Sequence, residues 1–83
     1  AGLEDWPKAI SQLRESIEVC GDCSILGGLH KNLGLILAQS GDTESAIEEL
    51  RIAQKLIPDD GDVQFSLNLF RRRAASEEQV KKN

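Results

Sequence analysis

The most reactive side chains in this 83-residue sequence are Cys20 and Cys23, spaced as Cys-Gly-Asp-Cys. Such a pair can cycle between dithiol and disulfide, or supply half of a tetrahedral metal site. Neither chemistry is completed nearby. Thioredoxin-type catalysis needs the motif to open a helix in an α/β fold, haem attachment needs His where Ser24 stands, and structural zinc needs four ligands. The single histidine, His30, is expected inside a helix seam. Three readings of Cys20 and Cys23 stay open: two incidental thiols in a loop, a reversible disulfide, or a metal shared between copies.

Two charged clusters invite a similar question. Asp59, Asp60 and Asp62 around Gly61 resemble the start of a calcium loop, but the distal bidentate Glu is missing, so turn and cap duties are expected of them. Arg71, Arg72 and Arg73 fan over most of a helix circumference, which suits a solvated helix end or an acidic partner better than a single-faced patch. With one His, no Tyr, no glycine-rich phosphate loop and no convergent carboxylate pair, no catalytic site, no cofactor and no resident metal are expected.

The elements that must position these groups are helical. Apolar residues recur at helical spacing, and the breaks fall where Gly, Asp and Pro cluster. A first helix is predicted from about Asp5 to Val19, capped by Asp5, with Pro7 tolerated in its first turn and Ala9, Ile10, Leu13 and Ile17 as its stripe. Trp6 is expected to pack over that turn. A second runs from about Ser24 to Gln39, with Leu26, Leu29, Leu33, Ile36 and Leu37 on a broad apolar face and Gly41 as its stop. Its glycines weaken helicity by about 1 kcal/mol each, which suggests close packing at Gly34, whereas Gly27 and Gly28 are read as a frayed start. A third begins with Asp42 as N-cap, carries Ala46, Ile47, Leu50, Ala53, Leu56 and Ile57, and is halted by Pro58. A fourth follows Gly61 with Val63, Leu67, Phe70 and Ala74 at helical spacing, and residues 77–83 are expected to be a polar, frayed tail. No stretch alternates in the manner of a strand, so the fold class is all-α.

Bulk properties narrow the function classes. Fourteen acidic and ten basic side chains give a net charge of −4, which opposes nucleic-acid binding. No apolar run approaches the roughly 18 residues of a membrane span, so no membrane contact is expected of this stretch. A chain this short buries only about 60% of its unfolded surface, and a thin core follows. With no Met and Ala1 inside what reads as an incomplete repeat, the sequence is expected to come from a longer protein; its compartment is not legible.

The chain also echoes itself. Asp5, Ala9, Ile10 and Leu13 recur as Asp42, Ala46, Ile47 and Leu50, an offset of 37 residues, and Ser16 falls where Ala53 does. Such self-similarity marks helical repeats, each leaving an apolar face that a neighbour covers. The 34-residue stretch from Gly27 to Asp60 resembles a tetratricopeptide repeat: Leu33 and Gly34, then Leu37, the Gly41 and Asp42 turn, Ala46, Leu50 and Ala53, and the closing Pro58. His30 departs from the pattern, standing where a large aromatic is usual.

The resemblance implies an antiparallel helix-hairpin solenoid of about four helices, part of a right-handed superhelix. Residues 1–22 would hold the second helix of a truncated repeat, 24–60 one complete repeat and 61–76 a capping helix, since Gln64, Asn68 and Arg71 would be a solvated flank. The offset of 37 implies three extra residues near Cys20 to Leu26. Ala9, Leu13 and Ser16 would face a helix not present here, to be covered by upstream repeats or by a second copy in a homodimer. By the same resemblance, the partner-binding positions are Lys31, Leu35 and Gln39 on the second helix and Phe65, Leu69 and Arg72 on the fourth. Leu35 occupies the place of the Asn in the carboxylate clamp of the chaperone-tail subclass, so that activity is not assigned. The expected function is protein-protein interaction or scaffolding for a peptide or partner protein; the alternatives are self-association and a redox- or metal-responsive element at the CxxC.

Overall fold

The structure, a computed structural model, describes the backbone of residues 5–82 and the side chains of residues 5–76. Among the described residues the chain is all-helical, without strands: α1 (Trp6–Cys20), α2 (Leu26–Gln39), α3 (Thr43–Leu56) and α4 (Gly61–Lys82). None is long and apolar enough to cross a membrane.

Local chemistry explains where each helix begins and ends. Asp5 accepts from the Lys8 amide at 3.2 Å, and Asp42 accepts from the Ser45 amide at 3.2 Å, so α1 and α3 open with the same side-chain cap 37 residues apart. Pro7 lies in the first turn of α1, where its missing N–H costs nothing. Between α2 and α3, Gly41 adopts φ +102°, and the Asp42 and Gly41 amides donate to the Leu37 and Ala38 carbonyls at 2.9 and 3.1 Å. This double closure satisfies the last carbonyls of α2 and requires a residue without a Cβ at the left-handed position. Gly21, at φ +62°, closes α1 similarly by donating to Ile17. Asp60 opens α4, its Oδ1 accepting from the amides of Asp62 and Val63 at 2.9 and 3.3 Å.

Two boundaries differ from expectation. Helix α2 starts at Leu26, two residues later than read, because residues 21–25 form the turn that holds Cys23. Helix α4 does not stop at Ser76; its backbone continues to Lys82. The Glu, Gln and Lys of that segment are good helix formers, a signal outweighed in the sequence reading by their polarity. Ala1 to Glu4, and Asn83, lie outside the described residues.

Close approaches fix how the helices pack. A Cβ added to Gly34 would lie 2.8 Å from Leu50 Cγ and 3.1 Å from the Ala46 carbonyl oxygen. A Cβ on Gly27 would lie 2.8 Å from Ile57 Cγ2. As α2 advances from 27 to 34, its contacts on α3 run back from 57 to 46, so the pair is antiparallel and tightly apposed at both ends. Gly34 is thus where the sequence placed it, against Ala46. Gly27 is not a frayed start: it is buried, and its missing side chain is what lets the chain pass Ile57. Gly28 meets nothing within 4 Å.

The core is Leu33 and Leu37 of α2, Ala46, Leu50 and Ala53 of α3, and Val63, Leu67 and Phe70 of α4. Burying a Leu or Phe side chain stabilises by roughly 1.5–3 kcal/mol relative to exposure, so this one cluster carries most of the apolar driving force. Ile10, Leu13 and Ile17 pack on it from α1, yet no α1 residue is fully buried. Each helix packs on its sequence neighbours and α2 also reaches α4, but among the described residues α1 meets neither α3 nor α4. Helices α2, α3 and α4 therefore share one core, and α1 is added along α2.

Candidate functional site

The six residues singled out as partner-binding divide between two helices. On α2, Lys31 and Leu35 are half-buried and Gln39 is exposed. On α4, Phe65 is 69% and Leu69 37% exposed, and Arg72 is exposed beside them. Phe65, Leu69 and Arg72 are spaced by four and three residues and so share one face, while Val63, Leu67 and Phe70 occupy the opposite, buried face. An exposed Phe and Leu on one turn are the most solvated apolar stripe of that helix.

The two groups border one another through an ion pair. Lys31 Nζ donates to Asp60 Oδ2 at 3.1 Å and to Asp62 Oδ2 at 3.4 Å, joining the middle of α2 to the first turn of α4. The stripe Lys31, Leu35, Gln39 therefore leaves from the same point as the stripe Phe65, Leu69, Arg72. Asp60 holds Lys31 above its ordinary value of 10.5, and Lys31 in turn holds Asp60 below 3.8, with the Val63 and Asp62 amides helping. The Lys31 ammonium thus pairs with two carboxylates of its own chain, whereas Arg72 is the cation of this face without an ion pair among the described residues. Leu35 also packs against the core, which leaves Phe65, Leu69 and Arg72 as the accessible part of the set.

Sequence reasoning missed two contacts. His30 Nδ1 lies 2.7 Å from Glu49 Oε1 across the α2–α3 seam, with both side chains largely covered. The imidazole thus takes the place of the aromatic expected there by making a polar closure instead of a packed one. No sequence pattern linked His30 to a residue 19 positions away; helical phase, which places Glu49 beside the buried Leu50 and Ala46 turn, was the available signal. The Lys31 pairing spans 29 and 31 positions and was equally invisible.

Cys20 and Cys23 are joined in a disulfide across the end of α1, with Cα atoms 5.3 Å apart. Cys20 is half-buried and Cys23 exposed, and Val19, Ile25 and Leu29 form an apolar ledge around them. Among the described residues no group of three His, Cys, Asp or Glu side chains converges as a metal site. Asp60 and Asp62 act as cap and ion-pair partners. Arg71, Arg72 and Arg73 fan out as expected, Arg73 lying 5.6 Å from the centre of the Phe70 ring.

A second apolar concavity lies between α1 and α2. Ala9, Leu13 and Ser16 form one wall and Asn32, Leu35 and Ile36 the other. Ala9 and Leu13 are half-covered and Ser16 is exposed. Among known proteins, no family model, no curated protein and no solved structure matches this chain significantly.

Proposed function

We propose that this chain is a non-catalytic protein-interaction module built on a tetratricopeptide-like helical hairpin, with helices in a solenoid order, and that it holds a peptide segment of a partner on the face formed by α2 and α4. The observation that carries the reading is the seam in which Gly34 of α2 lies against Ala46 and Leu50 of α3, in the register of the resemblance. That α1 packs on α2 alone supports a stack of hairpins over a closed bundle. Phe65 and Leu69 supply aromatic and aliphatic contact area, and Arg72 a group suited to a carboxylate. The segment recognised is accordingly short, apolar at alternate contacts, and acidic at one end.

An array of immobilised short peptides combining apolar and acidic residues, probed with the intact protein, tests this. Specific spots are expected, with affinity for the best of them falling about tenfold or more in a Phe65→Ala, Leu69→Ala double variant that keeps its melting temperature. An array without specific spots, or spots unchanged by the double variant, overturns the reading.

A further inference from the structure

We propose that Cys20 and Cys23 form a reversible thiol–disulfide switch at the joint between α1 and α2, opened by attack on the Cys23 sulfur and guarded by negative charge, so that cationic and neutral thiols reduce it in preference to anionic ones. The proposal is independent of the α2–α4 face described above.

The joint holds its two cysteines together by more than the bond between their sulfurs. The Gly21 amide donates to the Ile17 carbonyl at 3.1 Å, the Cys23 amide to the Cys20 carbonyl at 3.2 Å, and the Leu26 amide to the Cys23 carbonyl at 3.1 Å. Gly21, at φ +62°, makes the turn at no steric cost. None of these bonds involves sulfur, yet together they leave the two Cα atoms 5.3 Å apart, within the usual range for a disulfide. The reduced chain therefore keeps its two thiols adjacent. The oxidised chain gains little in turn, because the cross-link spans a sequence separation of only 3. With both forms folded and alike in backbone, reduction and re-oxidation are each open.

Exposure assigns the first step. Cys23 stands exposed on the turn, whereas Cys20 is half-buried as the last residue of α1. An incoming thiolate bonds to Cys23 Sγ, the bond between the two protein sulfurs breaks, and its electron pair leaves on Cys20 Sγ, which takes a proton from water. A second thiolate then attacks the reagent's sulfur in that mixed disulfide and releases Cys23 as a thiolate, itself protonated by water. The protein disulfide is reduced to two thiols, and two molecules of thiol reagent are oxidised to one disulfide.

The surroundings decide which thiols arrive. The last turn of α1 holds no basic residue and presents the negative, carbonyl end of the helix to the cysteines. Glu18 lies in that turn and Asp22 stands between the two cysteines, while Glu15 lines the same cleft as both of them. No Lys, Arg or His is among the residues lining that cleft. Thiols that serve redox catalysis sit in the opposite, electropositive setting, which stabilises the attacking thiolate. Here the field opposes every approaching anion, and it opposes most a thiolate that carries a second negative charge. A cationic group on the reagent offsets that repulsion.

The test mixes the intact, oxidised protein at low ionic strength with cysteamine, 2-mercaptoethanol or 3-mercaptopropionate, with acid quenching and mass spectrometry as the readout. Each rate is divided by that of the same thiolate with 2-hydroxyethyl disulfide, a neutral reference that removes differences in intrinsic nucleophilicity. Cysteamine is expected to outpace 3-mercaptopropionate by about tenfold or more, with the gap closing several-fold in ~1 M salt. A Glu15→Gln, Asp22→Asn double variant, altered at two exposed positions, is expected to bring the rates together. Peptide mapping should find the first mixed disulfide on Cys23, and the reduced protein should keep its helical circular dichroism and re-form the bond with cystamine. Equal rates for the three thiols, a gap unchanged in the double variant, a first adduct on Cys20, or a reduced chain that unfolds or fails to re-oxidise overturns the proposal.

Discussion

The two copies of the Ala, Leu, small-residue row differ in what lies on them. On α3 the row meets α2 on one side and α4 on the other, and Ala46, Leu50 and Ala53 lose all contact with water. On α1 the same spacing meets α2 alone; Leu13 packs from the side, Ser16 stays exposed, and no residue of the helix is fully buried. The contrast separates the pattern that makes a helix amphipathic from the neighbours that turn amphipathicity into stability. A helix stripe is a capacity for burial, and the energy is released only by the partner that covers it.

The sharpest test exchanges equivalent leucines. Leu50→Ala should cost about 2–5 kcal/mol, because it leaves a cavity enclosed by three helices, whereas Leu13→Ala should cost roughly 1 kcal/mol at an open edge. Denaturant melts of the two variants measure the difference, and equal losses would mean that α1 is as well packed as α3. A smaller effect with opposite signs is expected within α2. Gly34→Ala should destabilise by about 1–3 kcal/mol, since its Cβ forces Leu50 aside, while Gly28→Ala meets open space and should stabilise by up to about 1 kcal/mol through helix propensity. If both glycine variants stabilise, the seam is looser than described.

Reducing the disulfide comes next. Cys20 and Cys23 are three positions apart, so the chain-entropy model assigns their cross-link no more than about 2 kcal/mol. Thermal melts with and without dithiothreitol should differ by several degrees, and the loss should fall on the α1 amides in hydrogen exchange before those of α3. Uniform loss would show that α1 and the α2–α3 hairpin unfold as one unit.

The smallest effect is that of the ion pair at the α2–α4 junction. Asp60 is held below 3.8 in the folded chain, so its contribution is present above that value and is lost as pH falls through the folded one. Lys31 is held above 10.5, so its contribution is present below that value and disappears as pH rises through the folded one. Both groups are partly open to water, which screens the pair. Melting temperature should thus decline gently at both extremes, and Lys31→Met should flatten both arms. The acid arm persists in part, because Asp60 still caps α4. Unchanged arms in the variant would remove the pair from the account.

Much of the fold was legible in local chemistry. The Asp5 and Asp42 caps, the Gly41 closure and the Pro58 stop act through neighbours a few residues away, so they can be read from order alone. The Gly34 and Ala46 apposition was legible too, since small residues at matching helical phase leave room for close approach. The candidate site was less so. Lys31 was read as a group offered to a partner, and only the fold brought Asp60 and Asp62 to it. Gly27 was read as a frayed end because nothing near it in sequence announces Ile57.

By itself, then, the sequence determined that this protein is helical, where its first three helices begin and end to within about two residues, and which stripes seek cover, because those properties arise from backbone hydrogen bonding and periodicity over single turns. Tertiary structure decided which stripe found its cover, which cation was neutralised and that His30 would close on Glu49. Those outcomes depend on distances between residues some 20 to 30 positions apart, and such distances are set only once the helices have packed.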